Sequence, residues 1–396
     1  MVDPKIVIYP FGDKSFTSTL YYGADVRKSL RTLQAESVQC VVTSPPYWGL
    51  RDYGTGSWEG GDPECEHDVR RWDGVKQTQG AQSGHASKAD KLSRTSCQCG
   101  ATRVDEQIGL EQTPDDYVAS LVEVFRDVRR VLRDDGVLWL NLGDSYAGYH
   151  GNSRVPDADA PSNKPGYTEN QRSSTVGIGG LKAKDLVGIP WRVAFALQAD
   201  GWYLRSDVIW SKGSCMPESV TDRPTRSHEY IFLLTKNRTY FYDADAVKEP
   251  FTSADEHSKR KVVYSAHGDG ETSRGRGAGH NMLGVPSNGR NRRTVWSINS
   301  KPYKGAHFAT MPTALAEVCI KAGTRPGDTV LDPFSGSGTT GYVSNRLGRN
   351  YVGTDLNPDY LPLAEARLLG MDPPEDEDAV ESGDVGLPSA LELFSS

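Results

Sequence analysis

Apolar residues follow two different spacings along the chain, and each spacing predicts one kind of element. In the stretch PDDYVASLVEVFRDVRRVLRDDG (114–136) they recur every three or four positions, which is typical of one buried helix face. These apolar residues are Tyr117, Leu121, Val124, Phe125, Val128 and Leu132. Continuous apolar runs such as VQCVVTS (38–44) and VLWLNLGDSY (137–146) instead predict buried strands. The Asp-Gly pair at 135–136 predicts the end of the helix.

Helical and strand patterns alternate over most of the chain. The block 311–369 has the order helix, strand, Gly-rich turn, helix, strand, helix, and so predicts a βαβ unit. The remaining patterns predict strands and helices at 19–26, 26–34, 189–201, 202–212 and 229–237. This alternation predicts an α/β fold with a mostly parallel, doubly wound sheet.

Charge is distributed unevenly along the 396 residues. The formal net charge is −7, but residues 372–396 alone hold eight acids and no Lys or Arg. Residues 256–304 hold ten Lys or Arg against three acids. The overall acidity therefore does not exclude nucleic acid as a partner. The arginines of this stretch suit phosphate contacts, with a solvated loop as the alternative, and they are Arg274, Arg276, Arg290, Arg292 and Arg293.

The chain lacks the sequence signals of membrane and secreted proteins. No apolar run approaches the length of about 20 residues that spans a bilayer. The N-terminus MVDPKIVIYPF has neither the basic start nor the long apolar centre of a secretion signal. Six cysteines in a chain of this length do not make a disulfide scaffold. We therefore expect a cytoplasmic protein without a membrane partner.

A glycine-rich turn follows the strand of the βαβ unit. The stretch TVLDPFSGSGTTG places Asp332 at the strand end and then Gly336-x-Gly338-x-x-Gly341, which allows a ligand to approach the backbone closely. Asp355 ends the next strand, where a carboxylate can bind a ribose diol. A Walker-type loop would need a lysine, which this turn lacks, whereas a dinucleotide would fit. Asp332 favours S-adenosylmethionine, because the ammonium of that ligand is attracted to a carboxylate.

The stretch VVTSPPYWGLRDYG (41–54) leaves a predicted strand through a hydroxyl, two prolines and two aromatic residues. An exocyclic amine of cytosine or adenine is a poor nucleophile, because its lone pair is delocalised into the ring. Ser44 Oγ and the Pro45 carbonyl form an acceptor pair that can draw this nitrogen towards tetrahedral geometry. Pro45 and Pro46 fix the backbone direction. Tyr47 offers a ring that can stack on a base swung out of the duplex.

The motifs TSPPYW and DPFSGSGTTG together resemble those of the amino-group DNA methyltransferases, which use S-adenosylmethionine. The resemblance covers 18–53, 110–146, 185–245 and 302–369. It implies a Rossmann-like seven-stranded sheet, with the catalytic signature before the cofactor loop in the permuted β-class order. It also implies double-stranded DNA as the substrate, and enzymes of this kind can act beside a cognate restriction endonuclease.

The family pattern assigns roles to further positions. Asp25 would contact the adenine of the cofactor, Asp355 its ribose, and the segment HFATMP its methionine end. The residues expected at the cofactor are Asp25, His307, Phe308, Asp332, Phe334, Gly336, Gly338, Thr339 and Asp355. The residues expected in catalysis are Ser44, Pro45, Pro46 and Tyr47. SPPY is more common in enzymes that methylate cytosine N4, so we expect that reaction first, with adenine N6 as the alternative.

The resemblance also assigns a role to each segment of the chain. The catalytic domain would comprise an N-terminal part, a middle part and an S-adenosylmethionine-binding part, at 1–53, 109–250 and 301–371. Two polar, Gly-rich insertions would separate these parts, the first at 54–108 and a target-recognition insertion at 251–300. An acidic disordered tail would follow at 372–396.

Cys65-x-His67 and Cys97-x-Cys99 lie in the insertion 54–108 and offer four ligands of the zinc type. Each pair is spaced by one residue, which is tighter than the usual two to four. Exposed thiols in a loop are the alternative. A metal would give order to a segment with little apolar content, so we favour a structural zinc ion.

Another polar group follows the strand at 202–212. Lys212, Arg223, Arg226 and His228 are candidates for the wall of the target-base pocket, with a surface role as the alternative. Asp144 ends a strand near the expected site, and the sequence assigns it no role.

Two further readings of the chain belong to other classes of protein. An NAD(P)-dependent oxidoreductase would use the same glycine loop but would leave SPPYW unexplained. An inactive methyltransferase scaffold with a zinc-containing DNA-binding module would not need Ser44 and Asp332, which are present. Methylation of cytosine C5 is excluded, because it needs a nucleophilic cysteine, typically after a proline, and no cysteine here follows one.

Overall fold

A nine-stranded mixed sheet organises the larger of the two units in this computed structural model. The larger unit contains the described residues up to Tyr242 and from Thr294 onward, and the smaller one contains 243–250 and 289–293. The structure describes residues 3–11, 14–49, 53, 55–65, 67, 97, 99–147, 180–182, 184–213, 215, 218, 220–250, 289–299 and 311–370.

Strands and helices alternate along the larger unit. The strands are β1 (Lys5–Phe11), β2 (Lys14–Tyr22), β3 (Val38–Thr43), β4 (Ser57–Glu59), β5 (Thr102–Val104), β6 (Leu132–Leu142), β7 (Tyr203–Ser211), β8 (His228–Thr235), β9 (Val295–Ser297), β10 (Thr329–Asp332) and β11 (Asn350–Asp355). The helices are α1 (Val26–Thr32), α2 (Pro114–Val131), α3 (Ile189–Ala199), α4 (Thr313–Gly323), α5 (Thr339–Arg346) and α6 (Leu361–Leu368).

The strand order of the large sheet is β1-β2-β11-β10-β3-β6-β8-β7-β9. The pairs from β2 to β6 in this order are parallel, whereas β8 runs antiparallel to both of its neighbours. The predicted α/β fold with a doubly wound sheet is therefore confirmed. Two strands are added to the expected seven, one at each edge: β1 pairs antiparallel with β2, and β9 pairs parallel with β7.

Helices cover both faces of this sheet. Because side chains alternate along a strand, Val41 and Leu138 face the core that α1, α2 and α3 form. On the other face Cys40 and Val137 lie against α4, where a Cβ on Gly323 would come within 2.7 Å of both side chains. All six residues of β3 are buried as a result. Burial on both faces explains why its sequence is a continuous apolar run rather than an alternating one.

Helix α2 carries the apolar stripe that its sequence predicts, but it ends earlier than expected. Thr113 accepts a hydrogen bond from the Asp116 N–H at the start of the helix, and Pro114 occupies its first position. Leu132 is already extended and pairs with Val38 as the first residue of β6. The helix boundary predicted near Asp135 is therefore wrong, since pairing with β3 recruits the preceding residues into the sheet.

None of the helices in the described ranges is long and apolar enough to cross a membrane.

Candidate active site

The proline turn and the glycine turn open into one cavity of about 820 Å³ in the larger unit. The two turns follow β3 and β10, which are neighbouring parallel strands, so both lie at the carboxyl end of the sheet. Ser44, Pro45, Pro46 and Tyr47 line the cavity. Of the cofactor residues predicted in this loop, Asp332, Phe334, Gly336 and Thr339 line the cavity, and Gly338 does not. Two motifs about 290 positions apart in sequence thus share one site.

Asp332 joins the two turns directly. Its carboxylate accepts hydrogen bonds from Thr43 Oγ1 at 2.7 Å and from Thr340 Oγ1 at 2.8 Å. The backbone N–H of Phe334 donates to the same carboxylate at 3.1 Å. Burial raises the pKa of Asp332 to about 6, and these donors act in the opposite direction. Asp332 therefore fixes the end of β3 against the glycine loop.

The glycine loop is held in shape by its own protein contacts. Gly336 and Gly338 have φ angles of +51° and +80°, a region that favours glycine. A Cβ on Gly338 would also lie 3.2 Å from Ala364 of α6. Arg367, which is 3% exposed, donates from Nη1 to the hydroxyls of Ser337 and Thr339 at 3.0 and 2.8 Å. The loop is thus a preformed cradle, and α6 supports it from behind.

Asp25 and Asp355 line the same cavity from the ends of neighbouring elements. Asp355 ends β11 and accepts the N–H of Gly336 at 2.8 Å and that of Asn357 at 2.9 Å. Burial raises the pKa of Asp355 to about 6. Asp25 caps α1 by accepting the N–H of Arg27, and it also forms an ion pair with the Arg27 side chain at 2.8 Å. Both carboxylates are therefore fixed in direction.

Polar groups converge around the hydroxyl of Tyr47. Tyr47 donates to Glu229 Oε2 at 2.7 Å, and Ser44 Oγ donates to the Tyr47 hydroxyl at 3.3 Å. Asn141 Nδ2 donates to the Tyr47 hydroxyl at 2.8 Å and to Glu229 Oε2 at 3.0 Å. Lys212 forms an ion pair with the other oxygen of Glu229. Burial, with the nearby Glu229 charge as the second cause, raises the pKa of Tyr47 well above its ordinary value.

The ring of Tyr47 is fixed as firmly as its hydroxyl. Gly143 lies against it, and a Cβ at that position would come within 2.4 Å of Tyr47 Cε2. Tyr117 of α2 donates to the Pro46 carbonyl at 2.8 Å and so holds the turn from the other side. These contacts hold the SPPY turn in one conformation.

Glu229 and Asn141 are site residues that the sequence analysis did not identify. Glu229 is the second residue of β8, and Asn141 lies inside the apolar run of β6 and is 3% exposed. A lone amide within a buried strand needs hydrogen-bond partners, and this signal in VLWLNL could have identified Asn141. Glu229 gave no such signal, because it precedes the apolar residues of its strand.

Most, but not all, of the other polar candidates for the base pocket line the cavity. Lys212, Arg226 and His228 line the cavity. Arg223 does not line it, and its guanidinium instead stacks 3.9 Å above the ring of Tyr146. Asp144 also lines the cavity, and it accepts the backbone N–H groups of 188 and 189 and thereby stabilises the start of α3.

Neither the described arginines of 256–304 nor the predicted metal ligands are among the residues that line the cavity. In the smaller unit Arg290 and Arg293 pair with Glu249 at 3.3 and 3.1 Å, and Arg292 Nε donates to the Val247 carbonyl. Four predicted positions fall outside the described residues, namely Arg274, Arg276, His307 and Phe308. The four predicted metal ligands lie together in the insertion, namely Cys65, His67, Cys97 and Cys99.

The shared cavity defines a class of enzyme. A methyl donor held by the glycine loop and an amine held at Ser44 would meet inside it, as an amino-group methyltransferase requires. Comparison with known proteins identifies the family: the model of the N6/N4 methyltransferases, described as DNA methylase, matches residues 38–366. The chain belongs to this family and is an S-adenosylmethionine-dependent DNA methyltransferase that modifies an exocyclic amino group.

Individual relatives agree with the family. The chain is 44% identical over 345 residues to the type II methyltransferase M.SmaI of Serratia marcescens, covering 87% of this chain and 89% of that protein. It is 42% identical over 355 residues to M.Cfr9I of Citrobacter freundii, covering 90% and 89%. Among solved structures, the PvuII DNA methyltransferase (cytosine-N4-specific) covers 89% of this chain and 86% of its own, with 17% identity and a TM-score of 0.49.

The family assignment decides between two of the readings made from the sequence. The prediction of an amino-group DNA methyltransferase is confirmed, and the oxidoreductase alternative is wrong.

Proposed function

We propose that the chain methylates N4 of cytosine in double-stranded DNA. The observation that carries this proposal is the position of Ser44, whose hydroxyl lies in the same cavity as the glycine loop and belongs to the SPPY form of the signature. Adenine N6 is the alternative target. The amine of either base would have to leave the duplex to reach this cavity.

S-adenosylmethionine fits the groups that the cavity offers. It supplies an electrophilic methyl group when bound, and it carries an ammonium and a ribose diol but no phosphate. The glycine loop has no lysine for a phosphate, whereas Asp332 and Asp355 place two carboxylates beside it. We assign Asp355 to the ribose and Asp25 to the adenine. Asp332 would attract the ammonium, and Phe334 would make the apolar contact.

The SPPY turn would prepare the amine. Ser44 Oγ and the Pro45 carbonyl would accept its two N–H bonds and reduce the delocalisation of its lone pair. Tyr47 would stack on the flipped base. Its ring is fixed by Gly143, and its hydroxyl by Asn141 and Glu229. We therefore regard Asn141 and Glu229 as positioning residues for Tyr47.

The cations of the cavity favour cytosine over adenine. On its Watson–Crick edge cytosine presents two acceptors after the amine, N3 and O2, whereas adenine presents N1 and then a C–H, with its N7 acceptor on the other side of the amine. Lys212 and Arg226 both line the cavity. Within the described part of the chain, Nη1 of Arg226 makes no hydrogen bond although it is buried. On the Watson–Crick edge, cytosine would offer these donors one acceptor more than adenine.

Further partners follow from the proposed reaction. We propose double-stranded DNA as the substrate, with a cognate restriction endonuclease of the same specificity, since the relatives are type II methyltransferases. A cytoplasmic location would give access to the chromosome. A structural zinc ion is the second ligand that we propose, in the insertion 54–108.

Expression in a methylation-free host, followed by sequencing of the modified bases, tests the target. We expect N4-methylcytosine at one short sequence in the host DNA. N6-methyladenine instead would overturn the cytosine assignment and keep the class of enzyme. Unmodified DNA from cells that contain the folded protein would contradict methylation itself, and a Ser44→Ala strain provides the background.

The pH dependence of cofactor binding tests Asp355. Protonation would remove the charged acceptor for the ribose hydroxyls, and the pKa of Asp355 is raised to about 6. Protonation of Asp355 alone should therefore weaken the binding of S-adenosylmethionine by about ten-fold between pH 7 and pH 5. Titration calorimetry at both values measures this, and Asp355→Asn should bind weakly with a flatter profile. Asp332, with a pKa also raised to about 6, would account for the dependence that remains. Equal wild-type affinity at both pH values would contradict the assignment.

A further inference from the structure

We infer that Cys65, His67, Cys97 and Cys99 bind one structural zinc ion, and that this ion fixes a wall of the active-site cavity. The four residues lie in the insertion near the short antiparallel pair β4 and β5. The geometry of the four ligand atoms supports the metal site without any assumption about function. The effect of the ion on the cavity rests on the proposed function.

The distances between the ligand atoms suit a tetrahedral zinc ion. All four atoms lie within 4.8 Å of one another. Cys65 Sγ is 3.8 Å from Cys97 Sγ, and Cys99 Sγ is 3.4 Å from His67 Nδ1. Zinc bonds of about 2.3 Å to sulfur and about 2.0 Å to nitrogen place two tetrahedral sulfurs about 3.8 Å apart and a sulfur and a nitrogen about 3.5 Å apart. Two sulfurs 3.8 Å apart are not a disulfide, and the cysteines are free.

The backbone around the cluster is adapted to it. His67 is not a glycine, yet its φ is +47°, an uncommon conformation that is found where the surroundings demand it. Its ring stacks on Trp58 of β4 with centroids 5.2 Å apart. Gly61 has φ +73°, and a Cβ there would lie 2.7 Å from Cys99 Sγ. The backbone at Gly61 therefore lies close to Cys99, and this approach brings the ligands on the two sides of the insertion together.

The chemistry of the four ligand atoms indicates which metal they would hold. Three thiolates and one imidazole favour zinc over the hard cations, which prefer oxygen. Four protein ligands leave no open position for a water, so the role is structural.

The described part of the insertion has little else to stabilise it. Strands β4 and β5 have three residues each, and two strands alone are marginally stable. Among the described residues of the insertion, Ala101 and Ile108 are the buried apolar ones. A metal ion would supply the missing stability, since binding to the folded site alone stabilises that site.

The same hairpin contributes to the cavity. Tyr53, Thr55 and Gln107 line the cavity, and they flank the paired strands in sequence. Thr55 Oγ1 donates to Asp105 at 3.0 Å, and Gln107 Oε1 accepts the Tyr53 N–H at 2.8 Å. The two ends of the insertion are thus tied together at the cavity, while the cluster ties them together beyond the strands. Loss of the ion would loosen this wall, and DNA binding should suffer before cofactor binding.

Metal analysis of the purified full-length protein tests the site. We expect about one zinc ion per chain by mass spectrometry, released when the thiols are modified. Cys97→Ser should lose it, and Cys215→Ser is the matched control that should keep it. Replacement by Co²⁺ should give the absorption of a thiolate-bound tetrahedral ion. Protein that carries no zinc and gives no such Co²⁺ spectrum would overturn the site.

Kinetics of wild-type protein stripped of zinc by a chelator test the effect on the cavity, even if Cys97→Ser does not fold. We expect the KM for DNA to rise several-fold and to recover when Zn²⁺ is added, with the affinity for S-adenosylmethionine unchanged. Unaltered kinetics for DNA after zinc removal would overturn the effect on the wall. Failure of the proposed function is distinguishable, because the zinc-loaded wild type would then transfer its methyl group to adenine N6 or to no base.

Discussion

Ser44→Ala is expected to lower methyl transfer by about 10²- to 10³-fold and to leave the affinity for S-adenosylmethionine nearly unchanged. The change removes the acceptor that we propose for the target amine, and an oriented group has its greatest effect at the reacting atom. The surrounding geometry should persist, because the Tyr47 hydroxyl keeps its hydrogen bonds to Glu229 and Asn141. Single-turnover transfer of labelled methyl groups to DNA measures the rate, and calorimetry measures the cofactor affinity.

Ser44→Asn provides the matched variant for this experiment. Its amide oxygen can still accept a hydrogen bond, so it should retain more activity than Ser44→Ala. An alanine variant that transfers methyl groups at the wild-type rate would show that the acceptor pair at the proline turn is not the catalytic group.

Asp332→Ala should damage stability and cofactor binding together. It leaves the hydroxyl of Thr43 and the N–H of Phe334 without their acceptor, and each unsatisfied buried group costs about 1–3 kcal/mol. The hydroxyl of Thr340 loses its shorter hydrogen bond and keeps the Val42 carbonyl at 3.4 Å. Part of this cost is offset, because the variant no longer buries a carboxylate, whose loss of hydration destabilises the folded protein. We expect a net loss of about 2–4 kcal/mol in the free energy of unfolding, measured by denaturant titration.

Asp332→Asn separates the two effects. The side chain keeps an oxygen for Thr43 or Thr340 but loses the negative charge. It should therefore be more stable than the alanine variant and still bind S-adenosylmethionine weakly, because the attraction to the ammonium is gone. An alanine variant with wild-type stability would contradict the bridging role, and an asparagine variant with wild-type affinity would contradict the role at the ammonium.

The local elements were predictable because their patterns lie within short stretches. The stripe of α2 has the 3–4 spacing that one buried helix face demands, and β3 shows the apolar run of a strand buried on both faces. The proline and glycine turns were identifiable for the same reason, since each needs particular residues at fixed positions. Edge strands such as β1 gave a weaker signal. Ile6 and Ile8 are exposed, so the apolar residues of β1 do not mark a buried face.

The site itself depends on contacts between distant positions. Glu229 is 182 residues from Tyr47, and Arg367 reaches back to Ser337 and Thr339 from the next helix. No short spacing in the sequence predicts these pairs, because one or more strands lie between the two partners along the chain and the fold brings them into contact. The cysteine pairs illustrate the difference: their residue types suggested zinc, but only the fold brings residues 32 positions apart within ligand distance.

The sequence by itself determined the α/β class, the two motifs, and the amino-group chemistry that they carry, because these depend on residue type and short spacing. The tertiary structure decided which groups face one another: that Asp332 joins both turns, that Tyr47 is held by Glu229 and Asn141, and that the insertion reaches the cavity. The physical reason is that hydrogen bonding and burial act through space, and the distances in space are set by the order of strands in the sheet rather than by the order of residues in the chain.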